Sequence, residues 1–273
     1  MNLRILESLP MGVFDTFPIW VIYIGMFLIL LLSFEIGYQI SKYTTSTNDR
    51  EGFNSTSPMV SGLLAMLAFV LAFTFAMAAS QHNIRKQNIL NEANIIGTAY
   101  LRADLLGERD ETKVKQLLKE YVDSRVYAIE MGDMELIKDM LARSLEIHDL
   151  LWEQVSSAVK REPNLYASLV LQSINDVIDI HQARVTAGFY NRIPSSIWLV
   201  LLAISALTMM TMGAQARLSK SRRLAAVIPL ILAFTTLSEV VLDLDRPQEG
   251  MITVGQEAMV DMQKSLKIKT ESE

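Results

Sequence analysis

Three histidines, His82, His148 and His181, are all the imidazole in the chain, and no cysteine accompanies them. Metal capture from one helix needs ligands a turn apart, and no His-x-x-x-His or Glu-x-x-His pair occurs. Asp176 and Asp179 share a helical face, but His181 falls off it, so that run reads as a solvated face. Each histidine reads as a structural or surface residue. There is no glycine-rich phosphate loop and no serine elbow, so the sequence predicts no enzyme, no metal and no cofactor.

The other chemistry-bearing residues are charges beside apolar runs, where an ionisable group is costly and calls for a partner or a task. Glu35 ends the first apolar run, with Lys42 and the basic stretch from Arg217 to Arg223 available to neutralise it. Glu239 lies inside the last run, Asp243 follows four residues on, and Asp245, Arg246, Pro247 and Gly250 lie just beyond. Arg85, Lys86, Arg184 and Arg192 are expected at the same membrane face. The spacing therefore predicts pairs that tie this end of the last run to polar helices, with a cation vestibule as the sharper alternative.

A third pattern carries no charge. Gly62, Ala65, Phe69, Phe73 and Met77 recur at spacings of three and four, so they form one stripe on a helix. Within one subunit such a stripe is a packing face, since small residues on spans mediate helix contact. In a ring of identical subunits it would stack apolar collars on the axis, a constriction that gates by dewetting.

The elements that must carry these residues follow from hydropathy. A hydrophobic fraction of 51% and a mean hydropathy of +0.26 are high for a soluble chain of 273 residues. The excess is concentrated at Pro18–Phe34, Met59–Ala79, Ser196–Gly213 and Leu224–Leu242, each near the length that crosses roughly 30 Å of hydrocarbon. Pro18, Pro58 and Pro194 stand at or before the first turn of their runs, where a missing N–H costs nothing. Trp20, Tyr23, Tyr38 and Trp198 lie near run ends as interfacial anchors. A net charge of −5 without a basic tail argues against a nucleic-acid partner. The first 17 residues lack a long apolar core, so the first run reads as an uncleaved anchor.

The second run continues past Ser80 into a polar amphipathic helix, with Ile84, Ile89, Ala93, Ile96, Tyr100 and Leu101 spaced for one dry side. Helical periods follow from Val114 to Met131 (Val114, Leu118, Tyr121, Val122, Arg125), from Met134 to Val159 (Ile137, Leu141, Leu145, His148, Trp152, Val155) and from Leu165 to Tyr190 (Leu169, Ile174, Val177, His181, Val185). Breaks fall at Gly107, Gly132 and Glu162–Pro163. The fold class expected is an all-α polytopic membrane protein: four transmembrane helices, with a helical extension inserted between spans two and three. Its segments are 1–57, 58–105, 106–195, 196–250 and a weakly amphipathic tail, 251–273, frayed at its end. Lys and Arg are nearly balanced across the two faces, so the positive-inside rule does not orient the chain.

The run from Ser61 to Phe73, Arg85 and the Asn91–Asp104 helix, together with Leu-Asp-Arg-Pro-x-x-Gly at 244–250, resembles bacterial bestrophin-like membrane proteins and, more distantly, bestrophin channels. The resemblance covers nearly the whole chain in layout. It implies a homo-oligomer, a pentamer, that conducts inorganic ions, anion or cation, in the cell (inner) membrane, with the helical region and both termini cytoplasmic and the lipid bilayer as surroundings. The family's neck would fall on Ala65, Phe69 and Phe73, and the Asp245-Arg246-Pro247 turn on its structural or gating turn. Ala65 is small where the family's neck is bulky, and the calcium-binding acid cluster of animal bestrophins has no counterpart. A stator-like proton-channel component and a helical scaffold or sensor are the alternative readings.

Overall fold

A computed structural model of the chain describes residues 17–44, 50–131, 134–218, 224–246 and 250–272, and it is all-helical over them. The helices are α1 (Ile19–Thr44), α2 (Arg50–Ala103), α3 (Glu108–Met131), α4 (Met134–Arg161), α5 (Leu165–Val185), α6 (Ser195–Leu218), α7 (Leu224–Asp245) and α8 (Glu257–Ser272). Four of them, α1, α2, α6 and α7, contain apolar stretches long enough to cross a bilayer, and the chain is a multi-pass membrane protein. The breaks expected at Gly107 and at Glu162–Pro163 are where α3 starts and α4 ends. Asn164 caps α5, its Oδ1 accepting from the Ala167 N–H at 2.8 Å. The expected loop from Glu35 to Ser57 is much shorter, because α1 stays helical to Thr44 and α2 begins at Arg50. α2 runs unbroken through both its apolar and its polar part, with Pro58 tolerated inside its early turns.

The residues fall into two compact units, each with its own core: residues 17–82 with 192–253, and residues 83–191 with 254–272. In the span unit α1 packs against α6 and α7. The α1–α6 contact is close because two glycines allow it. A Cβ on Gly37 would sit 1.8 Å from the Met210 carbonyl oxygen, and one on Gly213 would sit 1.9 Å from that of Phe34. Leu30, Phe34, Met209, Val227 and Ile231 fill this core, while Leu67, Leu71, Ala78, Leu201 and Val241 form a second one.

In the polar unit α3 packs against α4 and α8, and α4 against α5, around Ile96, Tyr100, Leu118, Tyr121, Ile147, Leu151 and Ile174. Two expected core positions are turned outward: Trp152 is 43% exposed while Leu151 is fully buried, and Leu169 is exposed while Val170 is buried. Ile84 and Leu101 of α2 are also exposed, leaving Ile89, Ala93, Ile96 and Tyr100 as its dry side. Apolar residues on adjacent faces compete for the core, and packing chooses the face that fits the neighbouring helix. The tail forms α8 through Ser272, with Met259 and Leu266 buried. α5 ends in a π-helical turn, Thr186–Tyr190, whose wider ring places the Asn191 N–H on the Thr186 carbonyl at 3.0 Å. Arg85 of α2 stabilises that turn, donating from Nε to the Ala187 carbonyl (2.9 Å) and from Nη2 to that of Asn191 (3.0 Å).

Candidate functional site

Along the span part of α2, the buried residues Val60, Leu67, Leu71, Thr74 and Ala78 lie on one side. At 3.6 residues per turn, Gly62, Ala65 and Phe69 point the opposite way, with Phe73 beside them. All four are exposed, Phe69 by 73% and Phe73 by 58%, and Met77 is half-buried at the stripe's edge. Packing inside one subunit is therefore not what this stripe does. A Cβ added at Gly62 would meet nothing within 4 Å. The hydroxyl of Thr74, which would be costly on the dry face, is satisfied by the Val70 carbonyl at 2.7 Å.

The charges after the last span are committed to backbone. The Asp243 carboxylate accepts the N–H of Met251 (3.0 Å) and Ile252 (2.9 Å), tying these residues to the end of α7. Gly250 has φ of 134°, and any side chain there would strike Asp243 Oδ1, 1.6 Å from an ideal Cβ. Asp245 Oδ1 accepts the Ile193 N–H at 2.9 Å, and Arg192 donates to the Asp245 carbonyl at 2.6 Å. Arg246 Nη2 donates to the Phe17 carbonyl at 2.9 Å. This strap joins the end of α7 to the starts of α1 and α6. Of the cations expected to pair with these acids, Arg192 lies 3.8 Å from the Asp245 carboxylate, while Arg85 bonds to the π turn and Arg184 pairs with a different carboxylate, Glu92. Glu35 accepts from Gln39 Nε2 at 2.8 Å. Pro247, Lys220, Arg222 and Arg223 lie outside the described residues.

A second constellation, in the polar unit, was not expected as a group. Glu92 is fully buried and ion-paired with Arg184 and, at 3.3 Å, with Arg125. The Tyr121 hydroxyl donates to Glu92 Oε1 at 2.6 Å and lies 3.0 Å from His181 Nδ1. Because that hydroxyl points its proton at Glu92, Nδ1–H of His181 is the donor to Tyr121, which leaves Nε2 as the bare nitrogen. The His148 ring meets the His181 ring edge-on, with centroids 4.7 Å apart, and lies 5.0 Å from Tyr121. Arg184 also donates to Gln256 Oε1 at 2.8 Å.

Two guanidiniums face one carboxylate here, so the pocket carries an excess of positive charge. Burial, and then Arg125, push His148 down to about 4, and the ring is neutral. Burial, and then Glu92, raise Tyr121 well above its ordinary value, so it stays a donor. Burial works against the charge on Arg125, but Glu92 and Tyr121 together outweigh it and raise the pKa. The sequence signal was present: Arg125, His148 and His181 occupy core positions of apolar periods, and Glu92 sits between Ile89 and Ala93. Asp176 and Asp179 remain apart from this cluster, each accepting from an amide one turn earlier, Gln172 and Asn175.

A family model described as the Bestrophin-like domain matches residues 27–259. No curated protein matches the chain in sequence. Two solved structures are similar to it in fold. One is a bacterial Bestrophin homolog from Klebsiella pneumoniae, with a TM-score of 0.56 and 12% identity over 93% of this chain and 99% of that one. The other is a membrane protein crystallised as a point variant, with a TM-score of 0.58 and 12% identity over 92% of this chain and 98% of that one.

Proposed function

Because the chain belongs to the Bestrophin-like family, we propose that it is an oligomeric ion channel, a pentamer, whose axis is lined by the span part of α2. The observation that carries this reading is the uncovered row Gly62, Ala65, Phe69 and Phe73, set opposite the face that α2 uses for packing. Large apolar rings left bare on a helix that already has a packed side are what a subunit interface or an axial collar requires. Phe69 and Phe73 form successive apolar constrictions that hold back water until the ring widens, Ala65 leaves a wider mouth beside them, and Met77 borders the other end. Phenyl edges carry slight positive charge, which tolerates an anion better than a cation, too weakly to set selectivity. The strap of Asp243, Asp245, Arg246 and Gly250 holds the end of α7 in register and serves as the structural or gating turn, with Pro247 in the same segment. Glu35 and Glu239 are charged residues at the membrane rims. The polar unit and both termini face the cytoplasm.

Purified protein in a planar bilayer tests the reading. Single-channel currents should appear, and Phe73→Ala should enlarge them while leaving the melting temperature nearly unchanged, since an exposed side chain contributes within about 0.5 kcal/mol of stability. A silent membrane would remove the channel reading. Native mass spectrometry of the solubilised protein should give a pentamer; a monomer or dimer cannot close a pore from one stripe.

A further inference from the structure

A cavity of about 330 Å³ opens in the span unit between the starts of α1 and α6 and the end of α7. Its volume lies at the lower end of small-molecule sites, about 300–1,000 Å³. Phe17, Ile22, Met26, Trp198, Leu202 and Leu242 make its walls almost wholly apolar, and one carboxylate, Glu239, is set into them. Glu239 has no hydrogen bond and no cationic partner among the described residues. The next acid, Asp243, accepts the Met251 and Ile252 N–H groups, Arg192 donates to the Asp245 carbonyl and Arg246 to that of Phe17. Among the described residues no cation neutralises Glu239.

The cavity lies where Trp20, Tyr23 and Trp198 mark the level of the lipid headgroups, at one end of the spans. An unpaired carboxylate there, above an apolar hole, matches a molecule with an ammonium on one end and hydrocarbon on the other. We propose that this cavity is a binding site for an aminophospholipid, whose ammonium pairs with Glu239 while one acyl chain fills the space between α1, α6 and α7. The charge complementarity selects the headgroup, and the apolar walls select the chain. Trp198, in the wall, lies against the chain. This site is independent of whether α2 lines a pore.

Trp198 also supplies the test. Full-length protein carrying Trp20→Phe and Trp152→Phe retains Trp198 as its single indole, since the chain has three tryptophans. It is reconstituted in phosphatidylcholine with small fractions of acyl-chain-brominated phosphatidylethanolamine, or with brominated diacylglycerol of the same chains, which lacks the amine. The expected result is quenching of Trp198 at about two- to fivefold lower fractions of the ethanolamine lipid, the gain from one partly exposed ion pair. Glu239→Gln should erase that preference and leave quenching by diacylglycerol unchanged. Equal quenching by both lipids overturns the proposal, as does a preference that survives Glu239→Gln. Absence of quenching by either, the result if a neighbouring subunit occupies the cavity, overturns it too. The wild-type comparison decides even where the glutamine variant fails to fold.

Discussion

Glu92 gathers three partners around one buried carboxylate. A carboxylate with no solvent exposure holds two guanidiniums and a phenol, so removing its charge strands both arginines in the core. Glu92→Gln should destabilise the polar unit by about 3–5 kcal/mol, the loss that follows when one partner of a buried ion pair is removed. Thermal unfolding followed by circular dichroism measures it, and a loss below about 1 kcal/mol would mean that water already reaches the cluster. His148 adds a pH dependence whose sign is set by its neighbours. Its folded value of about 4 lies below the ordinary histidine value of 6.5, so the unfolded chain binds the proton first as pH falls. The stability of the neutral ring is complete above pH 6.5 and is lost as pH drops toward 4, by at most about 1.4 kcal/mol per pH unit for this one group. Burial and Arg125 oppose its protonation, and Glu92 favours it. Melting temperatures at pH 7 and pH 5 should therefore differ more in the native chain than in His148→Gln; equal shifts would put the sensitivity elsewhere.

Helices α1 and α6 approach closely only because Gly37 and Gly213 present bare backbone to opposing carbonyls. Gly213→Ala forces the two apart and should cost about 1–3 kcal/mol, the usual range for an overpacked contact. Gly62→Ala, on a face where a Cβ meets nothing within 4 Å, is the matching control and should leave stability unchanged in the isolated subunit. Unfolding in detergent separates the two variants, and a loss at Gly62 as large as that at Gly213 would show that the close α1–α6 approach does not set the cost, since helix propensity favours alanine at both sites. The π turn at Thr186–Tyr190 has a comparable logic: a local hydrogen-bond mismatch persists because Arg85 takes up the carbonyls of Ala187 and Asn191.

At the scale of the molecule, the chain is a membrane protein that leaves an apolar helical face of α2 bare. Orientation follows from one thiol. Glu146 of α4 is solvent-exposed in the polar unit, and Glu146→Cys would be the sole cysteine in the chain. A membrane-impermeant maleimide should label it in inside-out vesicles and not in intact cells. The opposite pattern would place the polar unit outside the cytoplasm and reverse the direction assigned to the proposed vestibule.

Hydrophobic blocks, prolines at their starts and glycine or proline breaks specified four spans, a continuous α2 and the ends of the polar helices, because each signal is local to a few turns. The stripe of Gly62, Ala65, Phe69 and Phe73 was equally readable, since 3.6-residue periodicity alone places those side chains together. Tertiary structure decided the rest. Glu92, Tyr121, Arg125, His148 and Arg184 lie on four different helices, and no spacing along the chain shows that they meet. Helix packing also chose Leu151 over Trp152, turned the strap acids toward backbone N–H groups, and left Glu239 alone beside a cavity. Local sequence sets which residues share a face; which face finds a partner depends on the shapes of helices far apart in the chain.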